Sequence, residues 1–366
     1  MINSRSRSSG RILVTGSTGF VGRQMIAKLV QSQLNPVAWA RSSVGSGTLP
    51  FDQDIEIQVG SLSEAGDFIR KNPDIVAVIH LAAVVAPKHR STAFETNVDL
   101  TCKLASEISK RTSPPVFIYV SSLAAGGPSP ESHKRKESEL AAPKSIYGES
   151  KLAAERALLK FADAVPISIV RPPGVFGPSD RNLFQLFRTV RAGWNFVGIS
   201  KRFQYSFVHV DDLTSGILSV LERGKRLSVA ESDSKSVEGS IQSNATSGST
   251  NSSSVGSEGL YYIADPQPVT FVELADMVAD AMGTRRPRHV TLPACACWPL
   301  ALASEVGGRC LNVKTFLNID KMREAVAGNW TCDTSKAASE LEFTVAADLN
   351  QRVSETGKWY SENGWL

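Results

Sequence analysis

Tyr147 and Lys151 stand four residues apart in the stretch 144–156, which reads Lys-Ser-Ile-Tyr-Gly-Glu-Ser-Lys-Leu-Ala-Ala-Glu-Arg. Residues 145–160 are rich in Ala, Leu, Lys and Glu and hold no proline, so they are predicted to form a helix of about four turns. Residues four apart share a helix face. A phenol and an ammonium are thus presented together, with Gly148 between them to allow close approach. The pair suits proton transfer to or from an alcohol, because free tyrosine titrates near ~10 and a fixed positive charge favours its phenolate. Half ionisation near pH 7 needs a shift of roughly three units, or about 4 kcal/mol, of which one ammonium in a dry site supplies part. The same spacing also occurs in solvated surface pairs, so the elements around it decide its meaning.

Those elements run along the chain in order. Residues 11–15, Arg-Ile-Leu-Val-Thr, are predicted to form a strand that ends in Gly16-Ser17-Thr18-Gly19-Phe20-Val21-Gly22, followed by a helix over 23–31. In such a strand, turn and helix the glycines let the backbone approach a pyrophosphate, the helix N-terminus favours its charge, and the last glycine permits helix-on-strand packing. A dinucleotide is therefore expected. Its positively charged oxidised nicotinamide would add to Lys151 in favouring the phenolate. The second strand, 36–40, ends in Arg41-Ser42-Ser43, and no carboxylate follows before Asp52. An acidic residue there would hold an NAD ribose, whereas Arg41 with Ser42 can bind a 2′-phosphate. NADP is accordingly expected over NAD, unless Arg41 merely stacks on adenine and leaves the preference open.

Residues 55–59 and 75–79 read as the third and fourth strands, with a helix over 64–71 between them. Near-continuous apolar runs alternating with helices indicate a doubly wound α/β fold, a parallel sheet covered on both faces. Gly60-Ser61-Leu62 and His80-Leu81-Ala82-Ala83 fall at the carboxyl ends of these strands, where such sheets bind ligands. Their small residues let a flat cofactor lie close. His80 is expected to be a loop histidine satisfied by backbone rather than a base. A long helix over 93–110 carries Asn97, and the fifth strand, 116–120, ends in Ser121-Ser122. A hydroxyl at that sheet edge can hydrogen-bond a substrate carbonyl or alcohol; serines also cap turns there.

Composition narrows the classes. A net charge of +4 over 366 residues is too small to argue for nucleic acid. Five cysteines without a regular framework point to thiols in a reducing, cytoplasmic compartment. No metal site is expected, because Cys295, Cys297 and Cys310 lack a histidine or a fourth cysteine at suitable spacing. No apolar run reaches about eighteen residues, so no membrane span is expected; the nearest, 290–303, is broken by Pro293 and Pro299.

This order of parts resembles the extended short-chain dehydrogenase/reductase family. The matching features are Gly16, Gly19 and Gly22, the segment 80–83, Ser121-Ser122, Tyr147 with Lys151, the run Arg171-Pro172-Pro173-Gly174-Val175-Phe176-Gly177-Pro178, and Phe207 to Leu213. The resemblance implies that Tyr147 is the general acid/base, that Lys151 lowers its pKa and holds the nicotinamide ribose, and that Ser122, rather than Ser121, binds the reacting oxygen. It further implies cofactor contacts from Gly16, Thr18, Gly19, Phe20, Val21, Gly22, Arg41, Ser42, Ser61, Leu62, Leu81, Ala82, Ala83, Asn97 and Pro172. Asp211 and Asp212 are expected to be structural, starting a helix. Three departures bear on specificity. Ser61 replaces the family's adenine-contacting Asp; Gly174 and Tyr205 stand where nucleotide-sugar epimerases and dehydratases carry Asn and Arg. Arg181 and Arg202 are candidates to substitute for those groups, though neither is at the matching position. The run 171–177 is more similar to the hydroxysteroid dehydrogenase and dihydroflavonol reductase branches.

The expected organisation is a frayed arm over 1–10, a Rossmann domain over 11–180 with 204–223, a substrate lobe over 181–203 with 259–366, and a disordered Ser-rich insertion over 224–258. Thr270 and Glu273 form a capping box for a helix over 271–282. Trp298, Leu300, Leu302 and Phe316 are candidates for an apolar lid. The expected function is interconversion of a secondary alcohol and a ketone on an apolar small molecule, with a nucleotide-sugar epimerase or dehydratase as the alternative and a dinucleotide-sensing regulator as a third. A homodimer through the helices over 93–110 and 145–160 is expected from the same resemblance.

Overall fold

The computed structural model describes residues 10–42, 55–85, 89–197, 199–228, 256–291 and 319–366, with residues 293, 295, 298, 299 and 304 between the last two. Its described strands are β1 (Arg11–Thr15), β2 (Asn35–Ala40), β3 (Glu56–Val59), β4 (Ile75–His80), β5 (Val116–Val120), β6 (Ile167–Arg171), β7 (Gly174–Phe176), β8 (Trp194–Phe196), β9 (Gln204–Tyr205), β10 (Phe207–His209), β11 (Leu260–Tyr262), β12 (Val269–Thr270) and β13 (Arg288–Val290). The helices are α1 (Phe20–Gln31), α2 (Leu62–Lys71), α3 (Arg90–Phe94), α4 (Leu100–Ser109), α5 (Leu123–Gly126), α6 (Ile146–Leu158), α7 (Arg181–Arg191), α8 (Val210–Arg223), α9 (Phe271–Ala281), α10 (Ile319–Val326), α11 (Ser335–Leu341) and α12 (Leu349–Glu362).

Seven strands form a parallel sheet in the order β11-β6-β5-β4-β1-β2-β3. The doubly wound fold expected from the alternating apolar runs is thus present. In β1, Ile12 and Val14 face a core shared with Met25 and Ile26 of α1 and with Leu213 and Ile217 of α8, while Leu13 faces α2, α4 and α6. Both faces are buried, which is why the strands read as unbroken apolar runs rather than alternating ones. The order reverses between β1 and β4, where Thr15 pairs with His80, and ligands of open α/β sheets bind at that crevice.

A further apolar cluster joins α7, α9 and α12 through Phe187, Leu274, Val278, Val353 and Tyr360. Trp365 stacks on Tyr360 and meets Phe184 edge-on. Asp212 accepts from Arg352 Nη2 at 2.7 Å and Nε at 2.9 Å and from Ala346 N at 3.0 Å. The structural role expected for Asp212 is therefore a tie between α8 and α12, while His209 caps α8 by accepting from Asp211 N.

Several expectations need correction. The helix expected over 93–110 is α3 and α4 joined by a π-helical turn at Glu95–Asp99, which carries Asn97. His80 ends β4 rather than lying in a loop, and its partners are hydroxyls: Nδ1 lies 2.6 Å from Thr15 Oγ1 and Nε2 3.0 Å from Thr101 Oγ1. Burial pushes its pKa down to about 3, so it is a neutral core residue and no base. The flank of the Ser-rich insertion is ordered into the sheet edge, since buried Leu227 donates its N–H to Ile167 O at 2.7 Å beside Gly259. Residues 229–255 and 1–9 lie outside the described residues, as do Leu300, Leu302 and Phe316; Trp298 is exposed.

Candidate active site

The site begins where β5 ends. Ser121 and Ser122 leave the strand, and Ser122 caps α5 by accepting from Ala124 N at 3.1 Å. Ser121 turns instead to the core and donates to Glu155, which also receives Arg171 Nε at 2.9 Å. Of the two serines, Ser122 is the one that favours ionisation of the Tyr147 phenol. Helix α6 carries Tyr147, Lys151 and Glu155 at successive i, i+4 positions, and Gly148 lets it approach α5, since a Cβ there would lie 2.4 Å from Ala124 O.

Burial pushes the Tyr147 phenol up to about 12; Ser122 draws it back and the Glu324 carboxylate raises it further. Lys151 is buried, donates to Val120 O at 2.7 Å, and sits 4.4 Å above the Tyr119 ring. Desolvation brings its pKa down to about 7, against the opposing pull of Glu155. Ser122 draws the Tyr147 phenol back toward ionisation, and burial lowers the Lys151 ammonium in turn. A phenol held in its protonated form is suited to giving a proton.

The glycine turn fits a dinucleotide. Gly16 has φ of 70°, and a Cβ on it would lie 2.7 Å from Ala82 N; one on Gly22 would lie 2.1 Å from Gly16 O. A Cβ on Gly19, by contrast, would meet only Gly16 O, at 3.2 Å. The N-terminus of α1 has no side-chain cap and no acidic residue in its first turn, which leaves its N–H groups for an anion. Ser17 Oγ donates to Trp39 O and Trp39 Nε1 to Ser61 O, so the turn, β2 and the start of α2 are laced together. Arg41 and Ser42 sit exposed just past β2.

One cavity of about 580 Å³ gathers Val21, Leu81, Ala83, Ser122, Tyr147, Lys151 and Pro172 from the sequence-derived set. Gly16, Thr18, Gly19, Phe20, Gly22, Arg41, Ser42, Ser61, Leu62, Ala82 and Asn97 do not line it. Asn97 is committed elsewhere: it accepts from Val84 N at 2.8 Å and donates to Val84 O and Ser150 Oγ, fixing the loop after β4 against α6. The Ser61 side chain is engaged in a capping box with Glu64, a Ser-x-x-Glu signal already present in the sequence. Away from the sheet the same cavity is walled by Tyr205, Phe207, Phe271 and Trp330, with Tyr205 and Phe271 rings 4.5 Å apart. Gly174 and Tyr205 both line it; Arg181 and Arg202 are exposed and do not.

Sequence reasoning missed α10. Asp320 accepts from Ile146 N at 2.8 Å and Glu324 from Ser145 Oγ at 2.6 Å, so both cap the helix that bears Tyr147. Their spacing of four on a helix is visible, but their partners lie more than 170 residues upstream. Among the described residues no group of three His, Cys, Asp or Glu could hold a metal, and no helix is long and apolar enough to cross a membrane.

Residues 12–231 match the sequence pattern of the NAD dependent epimerase/dehydratase family. The chain belongs to that family. It is therefore an enzyme of the dehydrogenase, epimerase and dehydratase group, an oxidoreductase built on an NAD-binding Rossmann fold. The enzyme is 26% identical over 361 residues to a ceramide reductase of Caulobacter vibrioides, spanning 98% of this chain and 96% of that one. It is 27% identical to a 3 beta-hydroxysteroid dehydrogenase/Delta 5-->4-isomerase of Mycobacterium tuberculosis, over 76% of this chain and 71% of the other. In fold it is similar to dTDP-glucose 4,6-dehydratase of Bacillus anthracis, with a TM-score of 0.71 and 18% identity over 98% of each chain.

Proposed function

We propose that the enzyme interconverts a secondary alcohol and a ketone on an apolar small molecule, with NADP preferred over NAD. The observation that carries the reading is that Ser122, Tyr147 and Lys151 converge on one cavity whose far wall is Tyr205, Phe207, Phe271 and Trp330. Such a wall offers area to a flat or chain-like apolar body, while the cations lining the cavity among the described residues are Lys151 and Lys321. The names of the ceramide reductase and hydroxysteroid dehydrogenase relatives agree with that class.

In this reading Gly16, Gly19, Gly22 and the N-terminus of α1 hold the pyrophosphate, Arg41 and Ser42 the 2′-phosphate, and Lys151 the nicotinamide ribose. Leu81, Ala83 and Pro172 border the nicotinamide. When bound, the nicotinamide gives a hydride to the substrate carbon or takes one from it. Ser122 orients the substrate oxygen, and Tyr147, held protonated by burial, gives that oxygen its proton in the reducing direction. The aromatic wall keeps water from the reacting carbon.

The test is titration of the pure protein with NADPH and NADH, followed by a panel of apolar ketones and nucleotide sugars. Exchangeable NADPH and ketone turnover are expected. Stoichiometric, tightly held NAD with epimerisation of UDP-glucose would overturn the reading.

A further inference from the structure

Strand β8 pairs in parallel with β13, with Arg288 opposite Trp194, His289 opposite Asn195 and Val290 opposite Phe196. Side chains alternate along a strand, so the two strands present one inward and one outward row. The inward row is polar and engaged. Buried Asn195 donates its Nδ2 to Phe271 O and meets His289 Nδ1, each at 3.0 Å, and His289 Nε2 lies 3.3 Å from Asp276 Oδ1. The outward row is Trp194, Phe196, Arg288 and Val290, with Trp194 42% and Phe196 58% exposed. Exposed aromatics on either side of a buried asparagine invert the apolar-in, polar-out order of a surface strand.

The ribbon is also polarised along its length. Because β8 and β13 are parallel, Arg191, which ends α7, and Arg285, which precedes β13, flank the same end. Both are exposed, and among the described residues neither they nor Arg288 form an ion pair; Arg288 lies over the Trp194 ring, 5.7 Å from its centroid. Arg286 differs, being answered by Asp276 and Asp280. The opposite end carries Phe196 and Val290, and the chain runs on from it into residues 290–303, which hold no charged side chain. Arginines, then an indole, then apolar side chains follow the layers of a bilayer surface from anionic headgroups to hydrocarbon. Trp194 to Phe196 spans about 7 Å, within the roughly 5–10 Å to which interfacial side chains sink. A second protein fits less well, since two strands of this length offer a face of about 10 Å by 10 Å, far short of the roughly 800 Å² per partner of a stable interface.

We propose that the outward face of β8 and β13 docks the enzyme on an anionic phospholipid bilayer surface. Phe196 and Val290 enter the acyl region, Trp194 sits at the interface, and Arg191, Arg285 and Arg288 meet the headgroups. Asn195 ties the ribbon to Phe271, whose ring meets Tyr205 in the cavity wall, so docking sets the cavity beside the bilayer.

The experiment is co-sedimentation of the full chain with vesicles of phosphatidylcholine alone and of phosphatidylcholine mixed with phosphatidylglycerol. The wild type is expected to bind the anionic vesicles about tenfold more tightly or better, and to lose that advantage as salt is raised. Trp194→Ser/Phe196→Ser and Arg191→Gln/Arg285→Gln are each expected to weaken anionic-vesicle binding about tenfold, and Arg181→Gln, at the other end of α7, to leave it unchanged. These positions are all exposed, so melting temperatures are expected to hold within a few degrees of wild type. Equal or absent binding to the two vesicles, undiminished binding in either double variant, or self-association in solution that Trp194→Ser/Phe196→Ser abolishes would overturn the proposal. The readout involves no turnover, so it stands apart from which substrate the cavity takes.

Discussion

Arg171 closes a two-pronged ion pair on Glu155, Nε to Oε1 at 2.9 Å and Nη2 to Oε2 at 2.5 Å, with side chains 2% and 0% exposed. Glu155 also receives Ser121 and lies one turn beyond Lys151 on α6. The pair is therefore the charged support of the site's central helix, and it holds the Ser121 hydroxyl on the core side.

Removing one partner leaves a buried charge without compensation, at about 3–5 kcal/mol. Glu155→Gln is expected to lose stability of that order in urea denaturation. The double variant Glu155→Leu/Arg171→Met, which removes both charges, is expected to recover most of the loss. If the double variant is no more stable than the single one, the pair is not what the helix depends on.

In the proposed reading Tyr147→Phe removes the proton donor and little else, because the ring stays in place. Turnover is expected to fall by about 10²–10⁴-fold, the usual contribution of a positioned acid or base. NADPH affinity is expected to remain within about threefold of wild type, measured by fluorescence titration.

Lys151→Met tests the buried amine through pH. The folded-state pKa is depressed to about 7 from 10.5, so between those values the unfolded chain binds more protons than the folded one. Stability from this group therefore rises with pH across that window, by up to about 1.4 kcal/mol per unit. Below pH 7 the amine is protonated in both states and its burial penalty is fully felt. Lys151→Met is expected to flatten the rise between pH 7 and 10 and to be the more stable protein at pH 6.5, while losing both turnover and dinucleotide affinity. An unaltered slope in urea denaturation series would show the amine is not desolvated as described.

Much of this arrangement was legible in the sequence where the signal is local. The boundaries of β1 and β5 coincide with their apolar runs, and Thr270 with Glu273 forms the expected capping box on α9. The glycine turn was equally readable, because each glycine answers to a neighbour within a few residues or to the adjacent strand end. Long-range partners were not. Nothing near Glu155 announces Arg171, since that pairing is decided by how α6 packs on β6, and nothing near Ser145 announces Asp320 and Glu324, since that one is decided by how the last third of the chain folds back. Asn97 and Ser61 show the same limit from another side: their short polar side chains engage Val84 and Ser150, and Glu64, respectively, which composition does not reveal.

Gly19 and Gly22 separate packing from binding within one turn. In a helix interior Gly→Ala is ordinarily favourable by about 1 kcal/mol. At Gly22 that gain is outweighed, because the new Cβ would lie 2.1 Å from Gly16 O and 2.7 Å from Ser17 Cα, both backbone atoms that cannot swing aside. Gly22→Ala is therefore expected to destabilise the fold by about 1–3 kcal/mol and to weaken NADPH binding at least tenfold as the turn is displaced. At Gly19 the new Cβ would meet only Gly16 O at 3.2 Å, so thermal stability is expected to hold within a few degrees. Its methyl group would stand where a pyrophosphate must approach the uncapped N-terminus of α1, and NADPH binding is expected to fall at least tenfold all the same. Full NADPH affinity in Gly19→Ala, measured by calorimetry on protein of wild-type melting temperature, would move the phosphate away from this turn.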